Sequence, residues 1–135
     1  MSRGGVLNAA SMWEISAEIL LAARHQIRGV PDEREAGRVH AHQWTIKAFV
    51  RATALDRVGW VLDFHQLEGA LRQLAAPYQG AFINDLPPWN DVNPTRENLA
   101  RFIAEGLARH LDDGRARVHR VDVSEDAHCA SFLRD

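Results

Sequence analysis

Two histidines, His40 and His42, lie two positions apart in the segment VHAHQW. In an extended strand, this spacing points both side chains to the same face, with Cα atoms roughly 6.5 to 7 Å apart. Both imidazoles can then bind one metal ion. His25 ends an earlier apolar segment and can supply a third nitrogen if the two segments pair as antiparallel strands. Three imidazole ligands and an open fourth position are typical of catalytic zinc sites, where the ion polarises a substrate oxygen or activates water.

The spacing alone also allows a site without metal. An H-x-H pair on a strand is often two exposed or hydrogen-bonded histidines, and local spacing does not specify His25 as their partner. The chain has one cysteine, Cys129, so it has no internal disulfide and no multi-cysteine zinc site. A bound metal would therefore use histidine and carboxylate ligands.

Composition limits the classes of protein that the chain can belong to. Its 135 residues have the size of one domain, here residues 1–135, and 46% of them are apolar. The net charge of -2, with acidic and basic residues interleaved, predicts neither a nucleic-acid partner nor an anionic membrane partner. Residues 1–10 lack the basic start and apolar run of a signal peptide, so we expect a cytoplasmic location.

Two long strands must position the histidines. Alternating apolar residues predict the first strand over Met12–Gln26 and the second from Val39 onward. Charged residues, glycine and proline predict a loop between them. Antiparallel pairing of the two strands would bring the end of the first strand close to the start of the second.

Two helices and two short strands are predicted to follow. Asp63 and Gln66 resemble a capping box, and the first helix should end before Pro77. The irregular segment 78–93 is long enough to be a functional loop, and a second helix is expected to begin near Asn93 to Thr95, with Pro94 in its first turn. The last strands are expected at 118–123 and 129–133. The predicted order is strand, strand, helix, helix, strand, strand.

Six segments, in this order and at these spacings, resemble the 6-pyruvoyltetrahydropterin synthase and 6-carboxytetrahydropterin synthase family. The resemblance runs from about residue 13 to residue 132, with alanine replacing glycine in the HGH motif. The segments are LAARHQI (21–27), VHAHQW (39–44), GWVLDFHQLEGAL (59–71), INDL (83–86), NPTRENLARFI (93–103) and VDVSEDAHCASF (121–132).

The resemblance implies a fold, a cofactor and an assembly. The fold is the α+β T-fold, an antiparallel four-stranded sheet with two helices on one face, in the order ββααββ. Family members bind Zn²⁺ through histidines that match His25, His40 and His42. They assemble as trimers around a barrel and pair into hexamers, so the resemblance implies a homo-oligomer. Glu125 matches the glutamate that binds the pterin ring, and a carboxylate can accept two parallel hydrogen bonds from such an edge.

The resemblance fails at the positions that move protons. The family uses a cysteine, an aspartate and a histidine, where this chain has Ala36, Gln79 and Gly80. None of these three residues can transfer a proton at neutral pH. We consider His65, His128 and Cys129 as replacement catalytic residues, although each of them is more often structural.

Two functions therefore stay open, together with a third possibility in which the histidines bind nothing. The chain is either a zinc-dependent lyase or cyclase with altered chemistry on a pterin-like or other carbonyl compound, or a non-catalytic zinc protein that binds a pterin-like ligand or a partner subunit. Retention of three ligand histidines without the proton-transfer residues fits both, and slightly favours the enzyme.

Overall fold

The structure is a computed structural model that describes residues 11–135, and the segment considered for a signal peptide lies outside them. The strands are β1 (Trp13–His25), β2 (His40–Ala52), β3 (Ala116–Glu125) and β4 (His128–Leu133). The helices are α1 (Phe64–Ala75) and α2 (Arg96–Leu111), and three short 3-10 turns lie at Glu35–Gly37, Ala76–Tyr78 and Ile83–Asp85. In the described part of the chain, no helix has the length and apolar character needed to cross a bilayer.

The four strands form one antiparallel sheet in the order β1-β2-β3-β4. The predicted pairing of the first two strands is confirmed, with His25 opposite His40 and Ala23 opposite His42. Because successive side chains alternate between faces, this register places all three histidines on the same face. The order ββααββ is confirmed, and both long strands agree with their predicted bounds within one residue.

The helices cover the face of the sheet that carries the histidines. Alternate residues of β2 from Trp44 to Ala52 are buried there, together with the apolar stripe of α2. The helices approach each other closely at Gly106, where a Cβ atom would lie 2.8 Å from Leu74 Cδ2. The other face carries polar pairs, such as the fork of Arg120 on Asp122. The sheet therefore has one apolar face under the helices and one polar face.

Three details of the sequence prediction change. Asp63 caps α1 through the backbone N–H of His65, so the predicted bond to Gln66 is not the capping contact. Thr95 caps α2 by accepting from the N–H of Asn98, and Pro94 lies before this cap. Because the hydroxyl of Thr95 is the capping acceptor, the helix begins after Thr95 and Pro94 lies outside its first turn. The last strands begin earlier than predicted, at residues 116 and 128.

Candidate metal centre

The three histidines converge at one end of the sheet. One ring nitrogen from each of His25, His40 and His42 lies within 4.8 Å of the other two. The Nε2 atoms of His25 and His40 are 3.0 Å apart, and the ring centroids of all three pairs are between 4.6 and 5.0 Å apart. The expected convergence of the three imidazoles is therefore confirmed as geometry.

Each of the three rings is held from behind through its Nδ1 atom. The acceptors are the carbonyl oxygens of Pro94 and Arg38 and a carboxylate oxygen of Glu125, at 2.8, 2.6 and 2.5 Å from the Nδ1 atoms of His25, His40 and His42. A carbonyl or carboxylate oxygen can only accept, so each Nδ1 must carry the proton. In a neutral ring, Nε2 is then unprotonated and carries a free lone pair. Such outer hydrogen bonds are characteristic of metal-binding histidines.

This tautomer leaves the Nε2 lone pairs of His25 and His40 facing each other at 3.0 Å. Two acceptors at this distance repel unless a proton or a cation lies between them. Burial lowers the pKa of His25 from 6.5 to about 4, against the opposing effect of its bond to Pro94, and the neighbouring His40 and His42 lower it further. A proton on Nε2 of His25 is therefore disfavoured at neutral pH. The donor set of three imidazoles fits a divalent cation such as Zn²⁺.

Trp44 forms the floor behind the rings. Its fully buried indole stacks on His42, with centroids 5.1 Å apart and planes at 29°, and it meets the edge of His25 at 4.9 Å. Trp44 follows His42 on the same face of β2 because of strand alternation. The indole therefore restricts two of the three rings by direct packing.

Two asparagines hold the chain immediately after His25. The side-chain amide of Asn84 accepts from the backbone N–H of Gln26 and donates to its carbonyl, at 2.9 and 2.7 Å. Asn93 makes the same pair of bonds with Arg28, both at 2.9 Å. Each amide thus replaces a strand neighbour. Segment 78–93, considered above as a functional loop, thus fixes the chain that follows His25.

The Nε2 side of the cluster opens into a cavity of about 380 Å³. Three walls surround it: the segment before β2, the first turn of α2 and the start of β4. The lining residues are His25, Ile27, Glu35, Ala36, His40, His42, Thr95, Arg96, Glu97 and His128. Charged side chains of both signs therefore lie around the open side of the histidine cluster.

Sequence reasoning missed three charged residues of this cavity. Glu97 lies in the first turn of α2, and neither it nor Arg96 or Glu35 gave a local signal of a site. Their place depends on how the start of α2 packs over the sheet, which no spacing rule predicts. Arg96 donates to the carbonyl of His128 at 3.1 Å, and this bond ties α2 to β4.

The structure brings some of the predicted site residues together and not others. Glu125 lies against His42. The backbone N–H of Gln43 and the ring of His42 donate to its carboxylate and lower the pKa of that carboxyl, and their effect outweighs that of burial. His128 lines the cavity, but in the described chain His65 and Cys129 do not. The side chain of His65 is 96% exposed beside Asp63. Cys129 pairs opposite Ser124, a position on the polar face of the sheet. Their catalytic roles stay predictions.

Comparison with known proteins assigns the chain to a family. The model of the 6-pyruvoyl tetrahydropterin synthase family matches residues 14–135. The chain belongs to this family. The match covers every strand and helix described above except the first residue of β1. The family is one of tetrahydropterin synthase-type enzymes, and the resemblance noted in the sequence is thereby confirmed.

Individual relatives agree with this assignment. A 6-carboxy-5,6,7,8-tetrahydropterin synthase from Aquifex aeolicus (strain VF5) is 25% identical over 151 residues, which cover 85% of this chain and 93% of that protein. The 6-pyruvoyl tetrahydropterin synthase of Caenorhabditis elegans superimposes with a TM-score of 0.79 at 14% identity, covering 96% of this chain and all of that one. An uncharacterized Wolinella succinogenes protein gives 0.75 at 16% identity, covering 93% and 99%. These structures confirm the T-fold.

The three positions at which the sequence analysis expected a departure from the family have clear places in the structure. Ala36 lines the cavity with a methyl group. The side chain of Gln79 lies along the outer edge of β1, where it accepts from the N–H of Ala22 at 3.1 Å and donates to the carbonyl of Leu20 at 2.7 Å. The N–H of Gly80 donates to the carbonyl of Ala22. Within this chain, Gln79 is therefore engaged in holding β1 and is not directed at the histidines.

Proposed function

We propose that this chain is a zinc-dependent enzyme of the tetrahydropterin synthase type with altered chemistry. It would act as a lyase or cyclase on a pterin-like or other carbonyl-bearing small molecule. The observation that carries the proposal is the set of three Nε2 lone pairs, each oriented by a bond at Nδ1, that meet at the cavity. Zn²⁺ held by these histidines would polarise a substrate oxygen.

The residues around the cavity supply the remaining functions. His128 lies at the rim and is the one residue among our three candidate catalysts that lines the cavity, so we propose it as the proton donor or acceptor. Arg96, held to the carbonyl of His128, would orient polar groups of the substrate near that ring. Ala36 leaves space in the cavity wall where the family has a thiol. A related reaction that needs no proton transfer from this position is compatible with an alanine there.

We further propose that the protein is a homo-oligomer, a trimer or a hexamer, and that it works in the cytoplasm as a single-domain protein of residues 1–135. The polar sheet face and the exposed edge of β4 are surfaces that a second copy can cover. Light scattering at micromolar concentration should give three or six times the chain mass. A monomeric mass would contradict the proposed assembly.

A second function is supported by the lack of titratable groups at Ala36, Gln79 and Gly80. In this alternative, the protein keeps zinc and binds a pterin-like ligand or a partner subunit without turning it over. Tight binding of a pterin without any product would favour it.

The test begins with metal analysis of protein purified without a histidine tag, with about one zinc per chain expected. Native protein and His42→Ala are then incubated with dihydroneopterin triphosphate and related aldehydes. We expect turnover by the native protein and loss of it in the variant. His110→Ala, which changes an exposed histidine in the last turn of α2, serves as the matched control. Turnover that survives His42→Ala would exclude zinc as the catalyst, and less than about a tenth of an equivalent of zinc in native protein would exclude the metal site.

A further inference from the structure

Glu125 ends β3 with its carboxylate turned toward the protein. One oxygen accepts from Nδ1 of His42 at 2.5 Å, and the other accepts from the backbone N–H of Gln43 at 2.8 Å. The guanidinium of Arg96 lies 3.9 Å from the first oxygen. Two consecutive residues of β2 and the first residue of α2 therefore surround the group. This arrangement fixes its orientation without any ligand.

Glu125 differs from the acceptors of the other two histidines in its charge. His25 and His40 donate to neutral backbone carbonyls, whereas His42 donates to an anion. A hydrogen bond to a carboxylate is stronger than a bond to a carbonyl, and it makes the opposite ring nitrogen a better electron donor. The three imidazoles are thus inequivalent, and His42 is the best electron donor of the set.

The same contacts bear on the role that the family resemblance implies for Glu125. Reading the edge of a pterin requires both oxygens to accept from the amino group and the ring N–H of the ligand. Here each oxygen accepts one bond from β2 and keeps a second lone pair, so the contact with His42 and a bond to a ligand edge do not exclude each other. Glu125 does not appear among the residues that line the cavity in the described chain.

We propose that Glu125 is a positioning residue for the metal, which holds the ring of His42 in its binding tautomer and strengthens its Nε2 as a ligand. This inference rests on the zinc site of the proposed function. It assigns the carboxylate to the ion's outer shell, so its removal weakens zinc binding.

The test compares the zinc affinities of native protein, Glu125→Ala and Glu125→Gln by competition with a chromogenic chelator. Loss of an outer-shell partner typically costs 10- to 100-fold in metal affinity, and we expect about this loss for Glu125→Ala. Glu125→Gln should fall between, because its amide oxygen can accept from one N–H while its NH₂ group faces the other N–H. In both variants, the visible spectrum of the Co²⁺-substituted protein should shift.

Glu35→Gln is the matched control, because it removes one negative charge from the cavity wall without a hydrogen bond to a ring. Its zinc affinity should change by no more than about threefold, since an exposed charge is well screened. Circular dichroism and thermal unfolding of the metal-free variants check that each chain folds.

Unchanged zinc affinity in Glu125→Ala, combined with a tenfold or larger loss of neopterin affinity by fluorescence titration, would overturn the positioning role and leave only the ring-binding role. Failure of the native protein to bind zinc at all is a different result, which overturns the proposed function itself. Weakened zinc affinity with unchanged neopterin affinity supports the inference.

Discussion

The two ends of the sheet differ in how their polar groups are satisfied. At the far end, a cavity of about 620 Å³ is lined by several arginines, but each of the three described next has protein partners. Arg115 donates to three backbone carbonyls, Arg134 forks on Asp112 and Arg51 pairs with Glu14. At the histidine end, the cavity is smaller, yet one ring nitrogen from each of three histidines lies within 4.8 Å of the other two.

This contrast shows that cavity size does not locate the chemistry of this protein. Arginines that donate to backbone carbonyls and carboxylates stabilise the fold, and those donors are not free for an anion. Three converging imidazole nitrogens, in contrast, can bind a cation. We therefore expect substitutions at the far end to affect stability and substitutions at the histidine end to affect metal binding.

His25→Ala should produce the largest effect. It removes one of three ligands, so zinc content should fall from about one equivalent to less than about a tenth, as measured by elemental analysis after dialysis. The metal-free chain should remain folded, because alanine at the strand end retains the backbone pairing with His40. Retention of a full equivalent of zinc would contradict the three-histidine site.

Arg115→Ala should have the opposite signature. The side chain bonds the carbonyls of Ala54, Trp60 and Val61, and its loss leaves these acceptors without a charged donor. We expect the free energy of unfolding in urea to fall by about 2 to 3 kcal/mol, with zinc affinity unchanged. Arg101→Ala removes an exposed arginine of α2 and should stay within about 0.5 kcal/mol of native protein. A loss of zinc affinity in Arg115→Ala would contradict the expectation that substitutions at the far end affect stability and not metal binding.

Asn84→Asp tests the support behind His25. The substitution keeps an acceptor for the N–H of Gln26 but turns a second oxygen toward the carbonyl of that residue. We expect a loss of about 1 to 2 kcal/mol in unfolding free energy and a several-fold weaker zinc affinity, because His25 is the preceding residue. Asn93→Asp makes the same change further from the ring and should affect zinc less. Equal effects of the two substitutions would mean that the two asparagines stabilise the loop in general and do not support His25 in particular.

The two ends should also differ in the pH range over which they lose stability. His25 has a folded pKa of about 4 against 6.5 in the unfolded chain, so the unfolded state takes up a proton first as the pH falls. Metal-free protein should lose stability between pH 6.5 and 4, and His25→Asn should flatten this part of the curve in urea titrations.

The far end provides the control for that measurement. The backbone N–H groups of Ala116 and Arg115 lower the pKa of Asp113, so its contribution is kept above pH 3.8 and lost only in stronger acid. Asp113→Asn should therefore leave the slope between pH 6.5 and 4 intact. A flattened slope in that variant would mean that the loss does not come from the buried imidazole.

Strand alternation predicted the inner part of the site. The H-x-H spacing was enough to place His40 and His42 on one face, and antiparallel pairing of the two long strands made His25 a candidate third partner, whereas the register that places it there came from the structure. Periodicity also predicted both helices to within a turn. These features depend on local geometry, which repeats along the chain.

The parts that sequence could not predict depend on packing between distant segments. The carbonyl of Pro94 holds His25 from 69 residues away, and a backbone group gives no residue-type signal. The same holds for Arg96 and Glu97, which reach the cavity because α2 begins over the sheet. The exposure of His65 likewise follows from the direction of α1, since its position next to a cap gave no indication of the distance to the metal ligands.

The hydrogen bonds from Gln79 to β1 also affect how this strand can pair with other chains. Hydrogen-bonding groups along a strand margin invite pairing with foreign strands, and those of Leu20, Ala22 and Arg24 are already used by residues 79–81. The side chain of Gln79 thus helps to keep this margin from pairing with other strands beside the three histidines. Substitutions that shorten or remove this side chain would reopen the margin, so such variants should be checked for colloidal behaviour as well as for stability.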